Sequence, residues 1–191
     1  MKHFFTIIFT FIIALTVKSQ NKTALPYYEI PISEENYTAA AVVGRMIDGL
    51  GFRYYWSTDG LTDKDLQYKP NEKGRTTQET ITHLYDLSNM MLGLTKTTFK
   101  QNKDKTEMTF TEMREQTLFN FEALSKKIKA TKDLSSLSVI KDGEITIPFF
   151  NVINGPIADA IWHTGQVATF RRSSGNPINS KINHFSGTVN K

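Results

Sequence analysis

Asp159 and His163 stand four residues apart in the stretch Gly155-Pro-Ile-Ala-Asp-Ala-Ile-Trp-His-Thr-Gly-Gln. In an α-helix positions i and i+4 lie one above the other, with Cβ atoms about 6 Å apart, so a carboxylate and an imidazole can converge on one ion. Gln166 and Phe170 continue the same stripe at spacings of three and four. An acid and an imidazole on a stripe with core-like spacing need a partner, because burying them unpaired costs several kcal/mol.

A third donor comes from elsewhere in the chain. His83 lies on a second periodic segment, within the overlapping stripes Leu84, Leu87, Met91, Leu94 and His83, Leu87, Met90, Leu94. Two imidazoles and a carboxylate are suitable donors for zinc, nickel or ferrous iron, and such a set leaves coordination positions open. Helical bundles build metal sites in this way, from side chains on facing helices. The same residues also fit a plainer account. Asp159 and His163 would then be an intrahelical hydrogen-bonded pair with His83 nearby, a structural polar network in a non-catalytic protein.

Neighbours on the last segment take supporting roles. Gln166 reads as a partner to a ligand residue or as a helix–helix hydrogen bond. Trp162 and Phe170 read as core or pocket wall, Arg171–Arg172 as a solvated pair complementing the helix dipole, and His184 as exposed.

Four amphipathic segments must position these groups. The first is expected from a Ser33 cap to about Ser57, with Val43, Ile47, Leu50 and Tyr54 as its core stripe. Gly44, Gly49 and Gly51 within it point to close packing. Thr62 can start a single helical turn. Thr76-Thr-Gln-Glu79 and Thr109-Phe-Thr-Glu112 match capping boxes, opening helices to about Leu94 and Lys129. The third segment carries Met113, Thr117, Phe121, Leu124 and Ile128 on one face. The fourth is expected from Asn154 or Gly155, with Pro156 in its first turn, to the Gly175 stop.

Between the third and fourth helices, Val139 to Ile147 alternates around Asp142-Gly143, a short hairpin signal. The pattern predicts an all-α four-helix bundle over residues 34–178, with the β-hairpin in its long third connection. An extended leader, residues 20–33, and a polar tail, residues 179–191, flank it.

The N-terminus reads as a signal peptide, residues 1–19. Lys2 precedes an apolar run from Phe4 to Val17, and Val17-Lys-Ser19 suits cleavage before Gln20. The run is short for a membrane span, so no stable span is expected after cleavage, although an uncleaved anchor is the competing reading. Export to the periplasm or extracellular space is the expectation. The segment holds two of the 23 basic residues and none of the 19 acidic ones, so the remainder is only net +2. That is no nucleic-acid footprint. Cysteine is absent, which excludes disulfides, thiolate ligands and a cysteine nucleophile. There is no His-Glu-x-x-His, no Gly-x-Ser-x-Gly and no Walker loop.

The chain resembles the DinB/YfiT-like family of four-helix bundles. The resemblance rests on Gly60-Leu-Thr62 with Asp65-Leu66 and Tyr68-Lys-Pro70, on Thr80-Ile-Thr-His83-Leu84, and on His163-Thr-Gly-Gln166. It covers most of residues 34–178. It implies a three-ligand divalent transition metal site at His83, Asp159 and His163. The first position of the last-helix pair is commonly His in that family and is Asp159 here, which changes the charge and the metal preference. The family includes transferases and isomerases that use cytosolic thiol cofactors, a chemistry an exported protein would not share.

Two functions follow as expectations. One is an exported metalloenzyme, a hydrolase or transferase of an unknown small molecule, in which the ion would acidify a bound water and polarise a substrate oxygen. The other is a non-catalytic envelope bundle that binds a ligand or partner. A homodimer is compatible with both.

Overall fold

The computed structural model describes residues 24–98 and 103–190. The expected signal segment, residues 1–19, lies outside them. Among the described residues no helix is long and apolar enough to cross a membrane.

The protein is mostly helical. Four long helices, α1 (Ala39–Thr58), α3 (Thr77–Leu94), α4 (Phe110–Lys129) and α6 (Ala158–Ser174), are joined by the short helices α2 (Asp63–Gln67) and α5 (Phe149–Val152). Helix α1 packs on α4 and α6, and α3 packs on the same two, so α4 and α6 each lie between α1 and α3. Their shared core contains Ile47, Leu50, Tyr54, Ile81, Leu84, Met91, Phe121, Leu124, Ile128 and Val167. The expected stripes on α1 and α4 are therefore the buried ones, and on α3 it is Leu84, Leu87 and Met91 that are buried, whereas on the overlapping stripe His83 is half-buried and Met90 is exposed.

Capping sets several helix starts as the sequence predicts. Thr62, Thr76 and Thr109 each close a capping box with the acid three residues on, and α2, α3 and α4 begin directly after them. Helix α1 differs, because it starts after Thr38 rather than Ser33. The Thr38 hydroxyl accepts from Ala41 N at 3.1 Å. The run Ala39-Ala-Ala41 that follows has the highest helix propensity of any residue type, so this cap prevails over the polar Ser33-Glu-Glu-Asn36 stretch.

Helix α6 also enters differently from expectation. The chain runs in through α5 and a π turn, Ile153–Ile157, with Gly155 at the non-helical φ −89°, ψ −106°. Pro156 has no N–H to donate and its ring crowds the preceding turn, which opens the helix there. No side chain caps α6. Its C-terminus ends as expected on left-handed Gly175 at φ 99°, with Asn176 N bonded to Arg171 O at 2.8 Å.

The hairpin is where the sequence places it. Strands β1 (Val139–Lys141) and β2 (Glu144–Ile147) pair antiparallel across Asp142 and Gly143, both at positive φ.

The structure gives both flanking segments more definition than the sequence does. The leader does not simply run extended: Tyr27 is buried, its ring lies on Gly51 where a Cβ would collide, and its hydroxyl donates to Asp48 Oδ1. Residues 179–190 form a second small hairpin, β3 (Ile182–Asn183) with β4 (Thr188–Val189). Ile182 packs with Phe52 and Trp56 of α1, and Ile30 N bonds to Gly187 O at 2.8 Å. Leader and tail hold each other against the outer face of α1.

Candidate metal centre

His83 in the second turn of α3 and Asp159 and His163 on α6 come together at the α3–α6 seam. Their ligand atoms all lie within 4.8 Å of one another. Asp159 bridges the two imidazoles, with Oδ2 3.3 Å from His83 Nε2 and Oδ1 3.3 Å from His163 Nε2. The two rings meet edge to face at 4.7 Å between centroids. All three are half-buried rather than in the core, so the expectation of inward-facing side chains is corrected to a seam open on one side.

The buried face of α6 explains this placement. Ala160, Thr164, Val167, Arg171 and Ser174 face the core, one helix-face away from the stripe Asp159, His163, Gln166, Phe170. Phe170 is half-buried and packs on the Tyr68 ring at 5.8 Å, at the edge of the seam. Trp162 is 72 % exposed, so it is not part of the core.

Gln166 partners a ligand residue. Its Oε1 lies 2.8 Å from His163 Nδ1. An amide oxygen only accepts, so Nδ1 carries the proton and, in the neutral ring, Nε2 presents a lone pair. That lone pair faces an Asp159 oxygen, which is also an acceptor when ionised. Two acceptors at 3.3 Å are stabilised by a proton or a cation between them. A proton-bridged pair would normally close to about 2.7–2.9 Å. Donors about 2.0–2.1 Å from a tetrahedral ion are instead about 3.3–3.4 Å apart. With all three ligand atoms within 4.8 Å of one another, the residues present are near enough to hold one metal ion, and the same contacts, where Nε2 carries a proton, also serve as hydrogen bonds from the imidazoles to the two Asp159 oxygens.

The seam is held at its far end by a clamp that sequence reasoning did not identify as one. Asp65 is buried and accepts from Ser174 Oγ, Asn176 Nδ2, Thr62 N and Thr62 Oγ1. Burial by itself would raise its pKa, and these hydrogen bonds outweigh burial and hold it well below the usual carboxylate range. Thr77 N, at the start of α3, bonds to Tyr68 O just past α2. The segment 62–68 therefore ties the C-terminus of α6 to the N-terminus of α3, the two helices that carry the ligands.

Arg171 completes that end and corrects the expectation of a solvated pair. It is buried, and its guanidinium donates to Trp56 O, Asp59 O and Asn176 O at 2.7–3.0 Å. Arg172 is exposed, and so is His184. The available signal for the clamp was Asp65 three residues after Thr62, which as a sequence pattern says only that a helix starts. No protein-family model, no curated protein and no solved structure matches this chain.

Proposed function

We propose that the protein is an exported, DinB-like four-helix bundle that binds one divalent transition metal at His83, Asp159 and His163 and uses it on a small molecule. The observation that carries this reading is the arrangement of three donors from two helices, with Asp159 bridging at 3.3 Å to each imidazole. Zinc, nickel and ferrous iron all accept two imidazoles and a carboxylate. A divalent ion held there supplies Lewis acidity towards a carbonyl or phosphoryl oxygen. Gln166 orients His163, and the α2 clamp keeps α3 and α6 at a fixed separation. Hydrolysis or group transfer is the reaction class that such Lewis acidity would serve, on a substrate approaching the half-buried donors from solvent. The ring-like packing of α1, α4, α3 and α6 supports the bundle reading.

Metal analysis of purified protein against His163→Ala, grown with matched divalent-metal supply, tests the site. About one metal per wild-type chain and a negligible content in the variant are expected. Equal and negligible metal in both would overturn the reading and leave a hydrogen-bonded structural network.

A further inference from the structure

Helix α1 carries a second, outward stripe that the core does not use. Val42, Arg45, Met46, Gly49 and Arg53 recur at three- and four-residue spacings on the side where the leader and the tail hairpin meet. They floor a groove of about 740 Å³, walled by Tyr37, Ile161 of α6 and Phe185. Such a volume suits a small organic ligand. Val42 and Met46 are 47 % and 39 % exposed and Phe185 fully so, which leaves a continuous apolar strip open to water.

Charge is distributed unevenly along this strip. At one end Lys129 packs on Gly44 and pairs with buried Asp48 at 2.8 Å and with Glu34 at 3.6 Å, so cations and acids are balanced there. Arg53 lies at the other end. Its guanidinium is held only by neutral acceptors, Gly49 O at 3.1 Å and His184 O at 3.5 Å. Among the described residues it has no carboxylate partner, and Glu34 is the one acid that lines the groove. His184 is exposed as a residue, but its ring lies edge to face on buried Phe52, and that partial desolvation together with Arg53 holds it below its ordinary value, so it adds no charge at neutral pH. An oriented guanidinium with unused donors, beside Leu50 and Ile161, is suited to a carboxylate whose hydrocarbon continues over Met46 to Val42. From Gly49 to Val42 the helix rises about 10 Å, the length of a medium alkyl chain.

We propose that this groove binds a single-headed aliphatic carboxylate, with its head on Arg53 and its chain on Met46 and Val42. The site is independent of the metal centre, since His83, Asp159 and His163 do not line it.

Calorimetric titration of the full purified chain with decanoate and with 1-decanol tests the assignment. Decanoate is expected to bind at one site per chain and 1-decanol at least about tenfold more weakly, since the alcohol forfeits a charge-assisted hydrogen bond. Arg53→Met should weaken decanoate about tenfold, Arg53→Lys should recover part of that loss, and Arg172→Met, exposed and outside the groove, should stay within about twofold of wild type. Met46→Asp should abolish binding with unchanged helical content, because that side chain is outward-facing. His163→Ala should bind decanoate as wild type does, which separates this site from the metal reading. No saturable decanoate binding, equal affinity for the alcohol, or an Arg53→Met variant indistinguishable from wild type would each overturn the proposal.

Discussion

Gln166 Oε1 accepts from His163 Nδ1 at 2.8 Å, one helical turn along α6, and thereby turns the Nε2 lone pair towards Asp159. This contact decides the tautomer of one candidate ligand. In the neutral ring it leaves Nε2 free to offer its lone pair to a cation shared with Asp159.

Removing that orientation has a measurable consequence. Gln166→Leu should lower metal affinity by about 10- to 100-fold, the usual effect of losing a ligand's outer hydrogen bond. A competition titration against a chromogenic chelator reads this directly. Unchanged affinity would mean that Gln166 serves only the helix surface.

Asp159→His would place three imidazoles at the seam. It should retain stoichiometric metal, whereas His83→Ala and His163→Ala should lose it. The three variants are compared by metal content per folded chain. Loss of metal in Asp159→His would show that the bridging carboxylate is required for more than its donor atom.

Asp65 links folding to acidity. Its folded pKa is depressed, so its contribution is fully present above the unfolded value of about 3.9 and disappears as pH falls through the folded value. Asp65→Asn should cost about 2 kcal/mol near neutral pH, from charge-assisted hydrogen bonds to Ser174, Asn176 and Thr62. Urea unfolding of wild type and variant should show a constant difference above about pH 5 that narrows as pH drops below about 4. A difference that grows in acid would contradict the clamp.

Arg171 is the second fastening at that end. Arg171→Met should destabilise the fold by about 2–4 kcal/mol, because the Trp56, Asp59 and Asn176 carbonyls lose a buried donor. Arg172→Met, one residue on and exposed, should change stability by less than about 0.5 kcal/mol. Thermal unfolding of the two variants side by side checks the contrast.

The proposed export makes a separate prediction. Mature protein from the envelope or the medium should begin at Gln20, as N-terminal sequencing would report, and an intact Met1 there would overturn cleavage.

Local chemistry was legible from the sequence wherever the deciding atoms lie within a few residues. Thr62, Thr76 and Thr109 start helices because their hydroxyls and the acids three residues on satisfy free backbone donors. Asp142-Gly143 turns the hairpin because both positions take positive φ. The stripes on α1, α3 and α4 were readable because large apolar side chains contrast with polar neighbours. Helix α6 offers no such contrast. Its core face is Ala160, Thr164, Val167, Arg171 and Ser174, small or polar residues apart from Val167, and the adjacent polar stripe is left at the seam. Only the tertiary structure decided that Trp162 faces solvent, that Arg171 is buried, and that leader and tail fold onto α1. Those outcomes depend on which faces meet between segments from 21 residues apart (Tyr27 with Asp48) to 115 residues apart (Trp56 with Arg171), and side-chain spacing within one segment carries no information about that. His83 is the exception in kind: its spacing placed it on α3, and the packing of α3 against α6 brought it 3.3 Å from Asp159.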